Sequence, residues 1–214
     1  RAPHFVFYGR ELLAEEYGDN ALQESGWRII TTLDADLEAK AEEVVKKNAL
    51  ENEKNFNAEN ASIVAIDPKT GDILTMAGSR DYFDKEIDGA YNIALANRQP
   101  GSSFKPFVYA AAFLKGYTPD TILFDVPTQF STACPGASLS DIPPCYAPSN
   151  FDNKFNGPMT IRDALALSRN IPAVKALYLV GIKNAINLAR SLGISTLTNA
   201  NQYGLTLVLG GGEV

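Results

Sequence analysis

The segment Arg98-Gln99-Pro100-Gly101-Ser102-Ser103-Phe104-Lys105-Pro106-Phe107 leaves the backbone few choices. Pro-Gly sets a tight turn. Pro106 is compatible with a helix only in its first turn, and an apolar run, residues 107–114, follows before Gly116. The segment therefore predicts a turn that opens directly into a buried helix stopped by that glycine. Ser102 and Lys105, three positions apart, share a helix face, which brings Ser102 Oγ and Lys105 Nζ within hydrogen-bonding reach. A serine hydroxyl is a weak nucleophile until a base takes its proton. A lysine near the positive end of a helix is pushed toward the neutral amine that such a base requires. The same end leaves backbone N–H groups, including that of Ser102, free to face an oxyanion. S-x-x-K alone arises about once by chance in a chain of this length. For the tetrad alone, a capping serine beside a snorkelling lysine is the better account.

A second element changes that balance. Ser168-Arg169-Asn170 follows an apolar stretch, residues 161–167, and precedes Ile171-Pro172-Ala173-Val174. Pro172 suits the first turn of a new helix, so the triplet is expected on a short connection between two helices. A hydroxyl and a carboxamide are then held on a rigid corner. A serine-lysine elbow followed by a Ser-x-Asn corner, in that order, is far rarer by accident than either alone.

In these motifs the chain resembles the penicillin-binding proteins, specifically the class A, bifunctional kind that makes peptidoglycan. S-x-x-K with a Ser-x-Asn triplet and K-T-G is the signature of that family and of class A β-lactamases. The resemblance extends to Ala2-Pro3-His4-Phe5-Val6, Thr31-Thr32-Leu33-Asp34, residues 170–175 and residues 203–214, and so covers nearly the whole chain. It implies an α/β (α+β) transpeptidase domain with a helical cluster beside an antiparallel sheet. It also implies acyl transfer between peptidoglycan stem peptides through a D-Ala-D-Ala donor, and covalent capture by β-lactams. Matched position by position, Ser102 is the acylated nucleophile and Lys105 its base. Ser168 relays the proton to the leaving amine, and Asn170 binds the donor peptide and helps hold Lys105. No metal or organic cofactor is implied.

Lys69-Thr70-Gly71 matches the third motif in letters only. It precedes Ser102, whereas the family's K-T-G follows the Ser-x-Asn triplet. Apolar, β-rich runs on both sides of Asp67-Pro68-Lys69-Thr70-Gly71 make it a hairpin turn. The expectation is therefore a fragment that lacks the K-T-G strand and the sheet's later strands and is silent on its own. Residues 1–60 are expected to be the linker module between a glycosyltransferase and the transpeptidase, and residues 61–214 the N-terminal part of the latter. The remaining C-terminal transpeptidase segment would be its partner, and the parent would sit outside the cytoplasm on a membrane anchor that precedes Arg1.

A formal net charge of −6 with a single histidine argues against nucleic acid, where a basic stripe is expected. His4 reads as a surface or capping residue. Cys134 and Cys145 lie in a Pro/Ser/Gly-rich stretch without a zinc pattern. The extracytoplasmic setting implied by the resemblance permits a disulfide between them, and two free thiols are the alternative.

Along the chain, residues 4–17 read as a helix ended by Gly18, and residues 27–33 as a β-strand rich in branched side chains. Asp34 caps a helix with apolar positions Leu37, Ala41, Val44 and Val45. The polar, Asn-rich residues 51–60 read as a boundary. Residues 118–158 read as one long loop. Thr160-Ile161-Arg162-Asp163 resembles a capping box opening the helix that feeds Ser168, and two further helices end at Gly181 and Gly193.

Two rival functions remain at this level. Class A β-lactamases share the nucleophile and lysine but deacylate through a Glu placed after the Ser-x-Asn triplet, and this chain has no Glu between Glu86 and Glu213. A non-catalytic extracytoplasmic interaction module is the other.

Overall fold

Asp34 Oδ1 accepts the backbone N–H groups of Asp36 and Leu37, both at 3.0 Å, and so starts the longest helix of the chain. In the computed structural model, which describes residues 1–214, that helix is preceded by α1 (Pro3–Tyr17) and α2 (Asp19–Glu24), and it is α3 (Ala35–Phe56). Glu38, Ala41, Val45 and Ala49 recur every three or four positions and form its buried stripe. The polar stretch read as a boundary is helical as far as Phe56, because the stripe continues and nothing breaks the helix before Asn57. The stripe packs on a hairpin of β1 (Ile63–Ile66) and β2 (Ile73–Ala77), paired antiparallel from Ile63↔Ala77 to Ile66↔Ile73. Lys69-Thr70-Gly71 is the exposed turn of that hairpin.

Residues 27–33 do not form the expected strand. They touch β2 only at their end, where Thr32 Oγ1 donates to Ile73 O (2.7 Å) and Asp34 N to Leu74 O (2.9 Å). Ile29 and Ile30 are exposed, so their branched side chains find no sheet face to pack on. His4 is buried, contrary to expectation. Its Nε2 lies 2.9 Å from Gly89 O, the carbonyl that also accepts Ser79 Oγ at 2.7 Å, and Tyr82 meets its ring edge to face. It fastens the loop after β2 to α1.

Residues 1–96 make one compact unit and residues 97–214 a second. In the second, a 3₁₀ turn (Gly101–Phe104) runs into α4 (Lys105–Leu114), which is apolar almost all round and therefore central. It packs against α6 (Asn170–Val180) and α7 (Ile182–Ser191) around Phe104, Val108, Tyr109, Val174 and Leu177. Each such large apolar side chain contributes roughly 1.5–3 kcal/mol by leaving water.

The stretch 118–158 is not a single loop. β3 (Ile122–Asp125) pairs antiparallel with β4 (Gly157–Thr160), which closes the excursion at its base. Residues 118–121 ahead of β3 and residues 126–156 between the strands are irregular, and in the latter Cys134 and Cys145 are joined by a disulfide. β4 leads into α5 (Ile161–Ala166), capped by Thr160. The box is modified: Asp163 N donates to Thr160 Oγ1 (3.0 Å), and the shorter Asp163 carboxylate receives the Thr160 hydroxyl (2.7 Å).

Candidate active site

Two distant segments build the site. The first is the 3₁₀ turn that presents Ser102 to solvent and ends at Lys105, the first residue of α4. Its position depends on the glycine at 210. A Cβ on Gly210 would lie 2.2 Å from Gly101 N and 2.4 Å from Gly101 Cα, so only glycine lets these backbones approach. Arg98 and Val214 exchange both backbone hydrogen bonds (3.0 and 2.9 Å), holding the chain just ahead of the Ser102 turn.

The second segment is the corner between α5 and α6. Ser168 has φ 50°, a left-handed conformation that costs a non-glycine residue about 1–3 kcal/mol and persists only when its surroundings impose it. The corner turns its polar atoms toward α4. Lys105 Nζ donates to Ser168 O (2.6 Å), Ser168 Oγ (3.1 Å) and Asn170 Oδ1 (2.7 Å). Asn170 Nδ2 donates to Ser149 O at 2.9 Å, which fixes which end of that carboxamide faces the lysine.

Sequence spacing suggests a Ser102–Lys105 hydrogen bond. The structure instead directs the ammonium to the corner, because carbonyl and carboxamide oxygens are better acceptors for it than a hydroxyl. Lys105 is buried, and burial first, with the positive charge of Arg169 second, lowers its pKa to about 8. The neutral amine fits the same cage. Ser168 O and Asn170 Oδ1 can only accept, so they take its two N–H groups, and its lone pair faces Ser168 Oγ. The Ser168 hydroxyl then switches from acceptor to donor. Lys105 and Ser168 are thus joined along a line on which a proton can move.

Sequence reasoning did not single out the residues behind this corner. Asp125 at the end of β3, Asn150 and Asp152 in the loop, and the Arg169 side chain form a polar cluster under Ser168 and Asn170. In the sequence they are ordinary loop polars, and no local spacing links them.

The profile of the penicillin binding protein transpeptidase domain matches residues 61–205. Penicillin-binding protein 2D of Bacillus subtilis is 32% identical over 91% of this chain and 27% of its own length. Penicillin-binding protein 1A of Neisseria meningitidis is 34% identical over 71% of this chain and 18% of its own. The chain thus spans about a quarter or less of these relatives. Among solved structures, penicillin-binding protein 1A from Haemophilus influenzae superposes with a TM-score of 0.84 at 20% identity, over 100% of this chain and 44% of that one. PonA1 from Mycobacterium tuberculosis in complex with penicillin V gives 0.70 at 18% identity, over 100% and 55%. At such identities the superpositions speak to fold alone.

Proposed function

We infer the reaction from one premise: this chain belongs to the family of penicillin-binding protein transpeptidase domains. The reading is a serine D,D-transpeptidase of the class A kind, cross-linking peptidoglycan stem peptides outside the cytoplasm and captured covalently by β-lactams. Residues 1–60 serve as the linker module and residues 61–214 as part of the transpeptidase domain, a division supported by the family match beginning at residue 61. No helix is long and apolar enough to cross a membrane.

One observation bears most of the weight. Lys105, one helical turn after Ser102, is caged by Ser168 and Asn170, so the elements that the signature predicts converge. In the proposed reaction the Ser168 hydroxyl turns toward the leaving amine and frees the Lys105 lone pair, and Ser102 Oγ attacks the carbonyl of the D-Ala-D-Ala bond while its proton passes to that lone pair. The Ser102 N–H faces the developing oxyanion. Ser168 returns the proton to the departing D-Ala amine, and Asn170 holds the donor peptide. An acceptor amine then attacks the acyl-enzyme, forms the cross-link and releases Ser102. The second oxyanion donor expected on a K-T-G strand is not among these residues, since Lys69-Thr70-Gly71 is a hairpin turn. No step requires a metal or an organic cofactor.

The β-lactamase reading is disfavoured by the lack of any Glu between Glu86 and Glu213 to activate a deacylating water. Penicillin treatment of the intact protein, followed by peptide mass spectrometry, should place a stable adduct on the peptide carrying Ser102 and none after Ser102→Ala. Steady turnover of the penicillin would favour the lactamase. An adduct that survives Ser102→Ala, or no adduct at all, would overturn the assignment.

A further inference from the structure

We propose that Arg169, the middle residue of the Ser-x-Asn triplet, is a positioning residue: its buried pairing with Asp125 holds Ser168 in the left-handed conformation that aims Ser168 at Lys105. The proposal rests on the acyl-transfer reading for its significance, but the geometry beneath it is separate from the nucleophile.

The Arg169 side chain turns away from Lys105 and Ser102 into the protein. Its Nε donates to Asp125 Oδ2 (2.9 Å), one terminal nitrogen reaches both Asp152 oxygens (3.0 Å each), and the other donates to Lys154 O. Asp125 is fully buried. Its other oxygen accepts Asn150 Nδ2 (2.7 Å), and its Oδ2 also accepts Asn156 N (3.1 Å). Asn150 Oδ1 in turn accepts Asn170 N at 2.8 Å and so caps α6 from the far side of the corner. Arg169 therefore ties the middle of the corner to β3, and Asn150 ties its far end at Asn170. Ser168, at φ 50°, is pinned between these ties and α5, where its N–H donates to Leu165 O (3.0 Å), with its carbonyl 2.6 Å from Lys105 Nζ. A planar guanidinium with donors on three sides is required, because Asp125, Asp152 and the Lys154 carbonyl surround it.

Arg169 also bears the positive charge that opposes protonation of Lys105. The other charged and titratable groups of the surrounding elements are Asp125 on β3 and Asp152 in the loop, both paired to Arg169, and Asp141, Tyr146 and Lys154 in the same loop. To these α4 adds Tyr109, α5 adds the exposed Arg162 and Asp163, and α6 adds the exposed Tyr178 together with Lys175, whose Nζ is tied to Phe124 O at 2.7 Å.

The test measures the acylation rate of the intact protein with a fluorescent penicillin between about pH 6 and pH 10. It compares the wild type with Arg169→Lys, Arg169→Gln and the double variant Asp125→Asn/Arg169→Gln, which leaves no unpaired buried carboxylate at residue 125. Arg169→Lys keeps the charge and loses the fork, so the rate should fall about ten- to a hundredfold at every pH with the pH midpoint in place. Both Gln variants should lose rate and move the midpoint upward, because the positive charge that opposes protonation of Lys105 is gone. NMR titration of Lys105 reads the same upward move without any substrate. Wild-type rates and midpoints in all three variants would overturn the proposal. So would losses that track only the folded fraction while Lys105 titrates unchanged. A wild-type protein that is not labelled on Ser102 sinks the transpeptidase reading instead, and the Lys105 titration then still decides the role of Arg169.

Discussion

Two turns in this protein carry the letters of a catalytic signature, and they are built in opposite ways. The hairpin turn of Lys69-Thr70-Gly71 is held by its nearest neighbours. Asp67 Oδ1 accepts Lys69 N at 2.8 Å, and Thr70 Oγ1 accepts Asp72 N at 3.2 Å. The turn is exposed, and its side chains are bonded only to backbone two residues away. The corner at Ser168-Arg169-Asn170 is held from afar. Its partners lie 63 residues away at Lys105, 44 at Asp125 and 20 at Asn150. A turn satisfied by itself has no cause to bury a lysine or distort a serine. A turn tied to distant elements can do both, because many contacts share the cost of its strain.

Exchanging each lysine for arginine tests that contrast most severely. Lys105→Arg keeps the charge but removes any neutral amine, so penicillin acylation should fall by at least about a hundredfold. Lys69→Arg should leave the rate untouched. Equal effects at the two sites, or near wild-type acylation by Lys105→Arg, would erase the distinction between a functional lysine and a turn lysine.

The pH dependence is expected to be the next largest effect. With its pKa lowered to about 8, Lys105 is neutral in roughly a tenth of molecules at pH 7. Acylation should therefore rise about tenfold from pH 7 to a plateau above pH 9. The stability term has the same sign. The folded pKa lies below the unfolded value of 10.5, so the unfolded chain binds more protons between about 8 and 10.5, and this group's penalty on folding fades as pH rises through that window. A rate that is flat between pH 6 and pH 9 would show that Lys105 is not the titrating base.

Cys134–Cys145 extends the comparison to a third, locally closed segment, with a sequence separation of 11. A double Cys→Ser variant should lose at most about 2–3 kcal/mol. Faster hydrogen exchange should be confined to residues 128–148, with acylation preserved. Exchange that spreads into α4 or α6 would mean the loop supports the site after all. The smallest effect belongs to Thr70→Ala, an exposed turn change expected to stay within about 0.5 kcal/mol in a melting experiment.

Where local chemistry decided the outcome, the sequence was legible. Asp34 and Thr160 cap the helices they precede, Gly181 and Gly193 stop theirs, and Pro100-Gly101 turns the chain into α4. Where partners lay far along the chain, it was not. The branched residues 27–33 have strand propensity but little sheet to join. β3 and β4 pair across an excursion that reads as loop, and His4 is buried by a carbonyl 85 residues away.

The amino-acid order by itself determined which residues hold reactive groups, the elbow that presents Ser102, and the family signature shared by Ser102, Lys105, Ser168 and Asn170. Only the tertiary structure decided what those groups face. Lys105 turns from Ser102 to the corner because two strong acceptors wait there. Its pKa falls because α4 is central and buries it. Arg169 matters because folding places Asp125 beneath it. Capping and turn preferences act within a few residues and are written in the local sequence. Burial, ion pairing and hydrogen bonds across tens of residues exist only once the chain has closed on itself.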